Sequence, residues 1–118
     1  IIPNPGLHSQ ADLLVYFPKS KVLCLGDLLL AGRCPAVQDV AGYMEFLDKV
    51  IDIFPTGTMF VSGHGKDLTA EGLRKYRNDL AGMIALAGGL FGGVNGDVAG
   101  ATHEIARALV LATLVLVP

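Results

Sequence analysis

Leu23-Cys24-Leu25-Gly26-Asp27 decides how the chain is read. An apolar run that stops at Gly-Asp places a carboxylate at the mouth of a buried strand. An unpaired charge there costs several kcal/mol, so a compensating group is expected nearby. Met59-Phe60-Val61 repeats the pattern as a second buried strand, and Ser62-Gly63-His64-Gly65 follows it as a tight turn with glycine on both sides of the imidazole. His8 lies in the loop Pro5-Gly6-Leu7-His8-Ser9, ahead of a third apolar run. His8, Asp27 and His64 are therefore three potential metal ligands at strand ends or in adjoining loops.

Around these points the chain alternates between strand and helix signals. Asp12 to Phe17 is β-branched and aromatic, with apolar residues on both faces that predict burial on both sides. Phe17-Pro18-Lys19-Ser20 reads as a type I turn, with Pro18 presetting φ at its second position. Lys21 to Leu25 returns as the partner strand, which makes a hairpin that brings Asp27 back to the sheet end where His8 departs. Leu28 to Gly32 then leads into Arg33-Cys34-Pro35, a loop with a single guanidinium facing a substrate anion or the solvent. Asp39 to Phe54 carries Val40, Met44, Leu47, Val50, Ile51 and Phe54 at helical spacing. Asp39 is its N-cap, Pro55 its stop, and Glu45 and Lys49 form an i,i+4 pair on the other face. Thr56-Gly57 turns into a strand from Thr58 to Ser62. Beyond His64, Asp67 or Thr69 caps a second helix that turns Leu73, Tyr76, Leu80, Met83, Ile84 and Leu86 inward and Arg74, Lys75 and Arg77 outward. Hairpin, helix, strand and helix in this order predict an α/β fold.

From Gly88 the character changes. Residues 88–101 are glycine-rich, but no strand precedes them and no Lys-Ser or Lys-Thr follows, so they read as a connector rather than a phosphate cradle. Residues 102–118 form an apolar run interrupted by Glu104 and Arg107. It is too short and too charged for a span of about 20 apolar residues, so it reads as an apolar helical tail. His103 beside Glu104 reads as a solvated helix residue. The expected organisation is a domain over 1–87, a connector over 88–101 and a tail over 102–118.

Composition narrows the function classes. A chain of 118 residues, 52% hydrophobic, fits one domain. Its net charge of −2, with no basic stripe, gives no pull toward nucleic acid or anionic lipid. Tryptophan is absent, which argues against a stacking platform for sugars or single strands. Two cysteines are too few for a disulfide framework. Cys24 and Cys34 read as thiols, with Cys24 a small core residue. Ile1-Ile2-Pro3 offers neither an initiator methionine nor a signal sequence, and is expected to lie inside a longer protein.

Taken in order, His8-Ser9, a strand ending at Pro18, Val22-Leu23, Leu25-Gly26-Asp27-Leu28, Gly32-Arg33, Leu47-Asp48, Ser62-Gly63-His64-Gly65 and Leu73-Arg74-Lys75-Tyr76-Arg77 resemble the C-terminal half of the metallo-β-lactamase fold superfamily, in the manner of its non-lactamase hydrolases. The resemblance implies half of an αββα sandwich. It also implies that His8 completes the first zinc site, Asp27 bridges both metals and His64 belongs to the second. In such a centre zinc acidifies a water and polarises the scissile bond. The His-x-His-x-Asp-His cluster of the N-terminal half does not occur in this sequence. One or two zinc ions belong to the complete fold, and at most one is expected on these residues alone.

Two functions follow as expectations. The chain is a fragment or half of a zinc-dependent hydrolase, inactive alone and completed by a missing N-terminal half; alternatively it is a non-catalytic remnant or interaction module of the same fold that forms homo-oligomers through its uncovered sheet face. β-Lactams, thioesters, lactones, phosphodiesters and sulfate esters are all handled on this fold, so the substrate does not follow from it.

Overall fold

A computed structural model describes residues 1–3 and 6–90. The elements are β1 (Ile2–Pro3), β2 (Leu13–Phe17), β3 (Val22–Leu30), α1 (Val40–Ile53), β4 (Met59–His64) and α2 (Ala70–Leu90). The strands lie in the order β1-β2-β3-β4. β1–β2 and β2–β3 are antiparallel and β3–β4 is parallel, so α1 lies on the crossover between the two longest strands. This is a small α/β fold with a mixed sheet and two helices. The chain divides into the units Ile1–Arg77 and Asn78–Pro118, with α2 crossing the boundary, and the packing of the sheet, α1 and the site lies in the first. The glycine-rich residues from 91 onward and the apolar tail over 102–118, His103 included, lie outside the described residues.

The helix starts follow their caps. The Asp39 carboxylate accepts the Gly42 amide at 3.0 Å from an extended backbone, and Thr69 Oγ1 accepts the Gly72 amide at 3.1 Å. α1 ends at Ile53, two residues before Pro55. It buries Tyr43, Leu47, Val50 and Ile51; Tyr43 joins the expected stripe, while Val40, Met44 and Phe54 are only half-buried. α2 buries Leu73 and Leu80, but Ile84 and Leu86 are exposed, contrary to their expected inward placement. The helix also continues through Gly88 to Leu90, past the start of the glycine-rich stretch.

The sheet departs from expectation in two ways. First, β3 does not stop at Gly26-Asp27; it runs through them to Leu30. Its partners on β4 explain why. From Cys24 to Gly26 the strand advances two residues while β4 advances one, from Val61 to Ser62. From Gly26 to Leu30 it advances four while β4 advances two. The extra residues are accommodated in a bulged segment where Gly26 takes φ +55°, a conformation that favours glycine. β4 likewise continues through His64, and the turn comes at Gly65 with φ +99°.

Second, β2 is not buried on both faces. Leu14, Leu23 and Phe60 are buried on one side of the sheet. On the other, registered face, Leu13 and Phe17 of β2 and Met59 of β4 are exposed, while Val15, Val22, Cys24 and Val61 are half-buried. Cys24 is thus not the enclosed core residue expected of it. The apolar content of β2 marks two lipophilic faces, of which α1 covers one: Phe54 at the end of α1 packs edge-on against Tyr16, with ring centroids 4.8 Å apart.

Two tyrosines lock the helical layer. Tyr43 Oη donates to the Leu28 carbonyl at 2.6 Å and lies 3.4 Å from Tyr76 Oη. Arg77 forks onto Asp48 through Nε and a terminal nitrogen at 2.8 and 2.9 Å, joining α2 to α1. Burial, then the Tyr76 hydroxyl, pushes Tyr43 far above the usual phenol range; burial also pushes Tyr76 up, to about 12. Both phenols are neutral in the fold, whereas in the unfolded chain they ionise near pH 10. The stability they contribute is therefore fully present below about pH 10 and is lost as the pH rises through about 12. Thermal melts are expected to hold steady to about pH 9.5 and fall beyond it. The Tyr43→Phe/Tyr76→Phe double variant should start lower, by roughly 1–3 kcal/mol for the unsatisfied Leu28 carbonyl, and decline less steeply. An equally steep decline in that variant would assign the alkaline transition to other groups.

Candidate metal centre

The bulge in β3 and the end of β4 bring Asp27 and His64 side by side. His64 Nε2 lies 3.4 Å from Asp27 Oδ1. His8 arrives from the loop before β2 and sets its Nε2 3.8 Å from the other oxygen, Oδ2. All three expected ligands thus meet at one carboxylate, although they stand 19 and 37 residues from it along the chain. Asp27 is half exposed, His8 is 28% exposed and His64 is 63% exposed, so solvent and solutes reach the group from the His64 side.

His8 is the most constrained of the three. Its Nδ1 is 2.9 Å from the Ala36 carbonyl, which can only accept, so Nδ1 carries the hydrogen. In the neutral ring Nε2 then turns a lone pair toward Asp27 Oδ2. That lone pair is open to a cation shared with the carboxylate. A ring fixed through Nδ1 to a carbonyl is also how a metal-binding histidine is held at its outer nitrogen. The loop itself is organised by Asp12, a residue that sequence reading missed. The Asp12 carboxylate accepts the His8 and Ser9 amides at 2.9 and 2.8 Å and the Ser9 hydroxyl at 2.7 Å. Burial raises the Asp12 pKa, but the hydrogen bonds from Ser9 and His8, with the His8 charge, outweigh it and hold the carboxyl below its usual range. The Ser9-x-x-Asp12 spacing is the signal that could have found it, since short polar side chains at this separation tie loop amides. Gln38 N donates to Leu7 O at 3.2 Å, fastening the Ala36 loop to the His8 loop.

The two glycines around His64 have steric reasons beyond a turn. A Cβ on Gly63 would lie 2.5 Å from Asp27 Oδ1 and 2.6 Å from the Gly26 carbonyl carbon. A Cβ on Gly65 would collide with the Ala31 carbonyl oxygen. β3 passes too close for any side chain at either place.

The donor types suit a divalent metal of the zinc type, but only one of the two pairs has its spacing, His8 standing 3.8 Å from Asp27. Bonds of 2.0–2.2 Å at tetrahedral angles put two ligand atoms roughly 3.3–3.6 Å apart, and the His64–Asp27 pair is at 3.4 Å. Each carboxylate oxygen faces its own imidazole, rather than all three donors closing on one point. Among the described residues no set of three or more His, Cys, Asp and Glu forms a ready-made metal cluster. Arg33 is exposed, and its backbone carbonyl accepts the Tyr76 hydroxyl at 3.5 Å. Cys24 and Cys34 form no disulfide. No described helix is long and apolar enough to cross a membrane.

No family model matches the chain, and no curated protein matches its sequence. Among solved structures, it is similar to a double mutant of the sec-alkyl sulfatase PisA1, with a TM-score of 0.52 and 20% identity over 74% of this chain. The chain spans 16% of that protein's length. That sulfatase has the metallo-β-lactamase fold, so the likeness is one of fold: the α/β arrangement here is similar to a part of a metallo-β-lactamase-fold enzyme.

Proposed function

We propose that this chain supplies one half of the metal centre of a zinc-dependent hydrolase of the metallo-β-lactamase superfamily. The observation that carries the reading is the Asp27 carboxylate, with one oxygen toward His8 and the other toward His64. A carboxylate so placed can serve two cations, one beside each imidazole. His8 would hold the first, oriented through its Nδ1–H to Ala36 O, and His64 the second. When bound, zinc would acidify a water and polarise the scissile bond. Asp27 would offer one oxygen to each ion, and water and substrate would reach the centre from the exposed His64 side. The remaining ligands, and any group that orients the attacking water, would come from a segment of the His-x-His-x-Asp-His type.

Preorganised electrostatic stabilisation needs that complement. The chain alone is therefore expected to bind at most one zinc per protomer and to show negligible turnover of ester, lactam, phosphodiester or sulfate-ester substrates. Co-expression with a half-domain carrying His-x-His-x-Asp-His should yield zinc-dependent hydrolysis that Asp27→Ala abolishes. No turnover with any such partner would favour a non-catalytic role, and robust turnover by the isolated chain would refute the half-site assignment.

A second reading has its own support in the uncovered sheet face. Leu13, Phe17 and Met59 are 53%, 50% and 38% exposed on a face whose other members are also apolar. Contiguous exposed apolar patches larger than a few hundred Å² mark interaction sites. On this reading the chain is a dimerising module in which two such faces pack together. Light scattering at micromolar concentration should return a dimer or larger, and Phe17→Lys should dissociate it. A monomer with a cooperative melt would eliminate self-association.

A further inference from the structure

We propose that Ser62 is a positioning residue for the Asp27–His64 pair. What that pair does rests on the metal-site reading above; what holds it in place does not. Ser62 stands opposite Gly26, where β3 and β4 fall out of register. Extra residues in one strand interrupt the ladder and leave backbone groups without their regular partners. The Ser62 hydroxyl occupies that gap. Oγ accepts the Ala31 amide at 3.2 Å and the His64 amide at 3.2 Å. Its one hydrogen has two carbonyls in reach, Leu29 O at 2.7 Å and His64 O. A hydroxyl has one hydrogen and two lone pairs, so every capacity of this one is used, all of it on backbone.

The four contacts fall on the two segments that carry the site. Two hold the backbone of His64 from its amide and carbonyl sides. The other two hold Leu29, two residues beyond Asp27 on the same strand, and Ala31, just past the end of that strand. Ala31 N also donates to His64 O at 3.1 Å, which closes the link between the strands. The bulge that turns Asp27 toward His64 is thus bolted by a side chain whose hydrogen bonds go to backbone. Alanine, valine and glycine lack the oxygen; threonine keeps it.

Amide hydrogen exchange on the full 118-residue chain, with Zn²⁺ titration in parallel, tests the assignment. Ser62→Ala is expected to raise exchange of the His64 and Ala31 amides at least about tenfold while α1 amides such as Leu47 keep their protection. Zinc affinity should drop by about 10–100-fold, the usual effect of removing a residue that orients a ligand. Ser62→Thr should restore both. Unchanged exchange at His64 and Ala31 would overturn the proposal. So would a uniform rise that includes α1, or failure of Ser62→Ala to fold, because the hydroxyl would then support the whole domain rather than the site. If the wild-type chain binds no zinc, the metal reading fails while the exchange data still decide the role of Ser62.

Discussion

Asp27→Ala is expected to lower the affinity of the chain for Zn²⁺ by more than 100-fold while leaving the melting temperature within a few degrees of wild type. The two effects separate because of where the residue sits. Its carboxylate is half exposed and supports no core contact, so truncation opens no cavity. Yet among the described residues it alone faces both imidazoles, and its removal leaves His8 and His64 with no shared anionic donor there. Losing such a ligand outweighs the roughly 10–100-fold cost of losing an outer partner. His64→Ala should act in the same direction. His8→Ala adds a distinction: it also frees the Ala36 carbonyl, so some loss of stability should accompany the loss of binding. Calorimetric titration reads all three variants, and unchanged zinc binding in both Asp27→Ala and His64→Ala would eliminate the site.

Gly63→Ala should damage both stability and binding. The new Cβ would approach Asp27 Oδ1 to 2.5 Å and the Gly26 carbonyl carbon and oxygen to 2.6 and 2.7 Å, all below any ordinary contact. The Asp27 side chain can swing away. The Gly26 carbonyl belongs to the bulge and cannot move without disturbing the pairing of β3 with β4. Overpacking of this kind typically costs 1–3 kcal/mol or more, about 4–8 °C per kcal/mol in a domain of this size. Either response also displaces Asp27, so zinc affinity should fall with stability. Gly82→Ala in α2 is the control, because its Cβ would meet nothing within 4 Å and helix propensity favours alanine. Thermal melts of the two variants side by side decide the matter: Gly63→Ala melting and binding like wild type would mean that β3 and β4 are not packed this tightly.

Much of the fold is legible because its signals are local. The Asp39 cap, the helical spacing of Leu47, Val50 and Ile51, and Pro55 place α1 within a residue of its observed ends. The hairpin forms where Pro18 marks it, but its turn falls one residue later than expected: the Lys21 amide donates to Pro18 O, so Pro18 is the first residue of the turn rather than the second, and Lys21 takes φ +52° as the chain re-enters the sheet. Thr69 caps α2. Even the residues that the structure brings together around Asp27 are legible, since His8, Asp27 and His64 each stand next to glycine or serine beside an apolar run.

What the sequence by itself determined is therefore the order of elements and which three polar residues stand at the ends of its apolar runs. Only the tertiary structure decided how they meet, because register belongs to a pair of strands and not to either one. Gly26-Asp27 looks like a strand end when β3 is read alone; paired with Val61, Ser62 and His64 it becomes a bulge inside a nine-residue strand. Burial has the same origin. Leu13 and Phe17 are as apolar as Leu14, but α1 covers only one face of the sheet, so alternation along β2 cannot say which residues face solvent. The supports of the site, Asp12 under the His8 loop, Ala36 O on Nδ1 and Ser62 across the strands, act through hydrogen bonds whose partners lie as few as two and as many as 33 residues away. Nothing in the local sequence encodes the longest of those distances; the packing of β3 on β4 does.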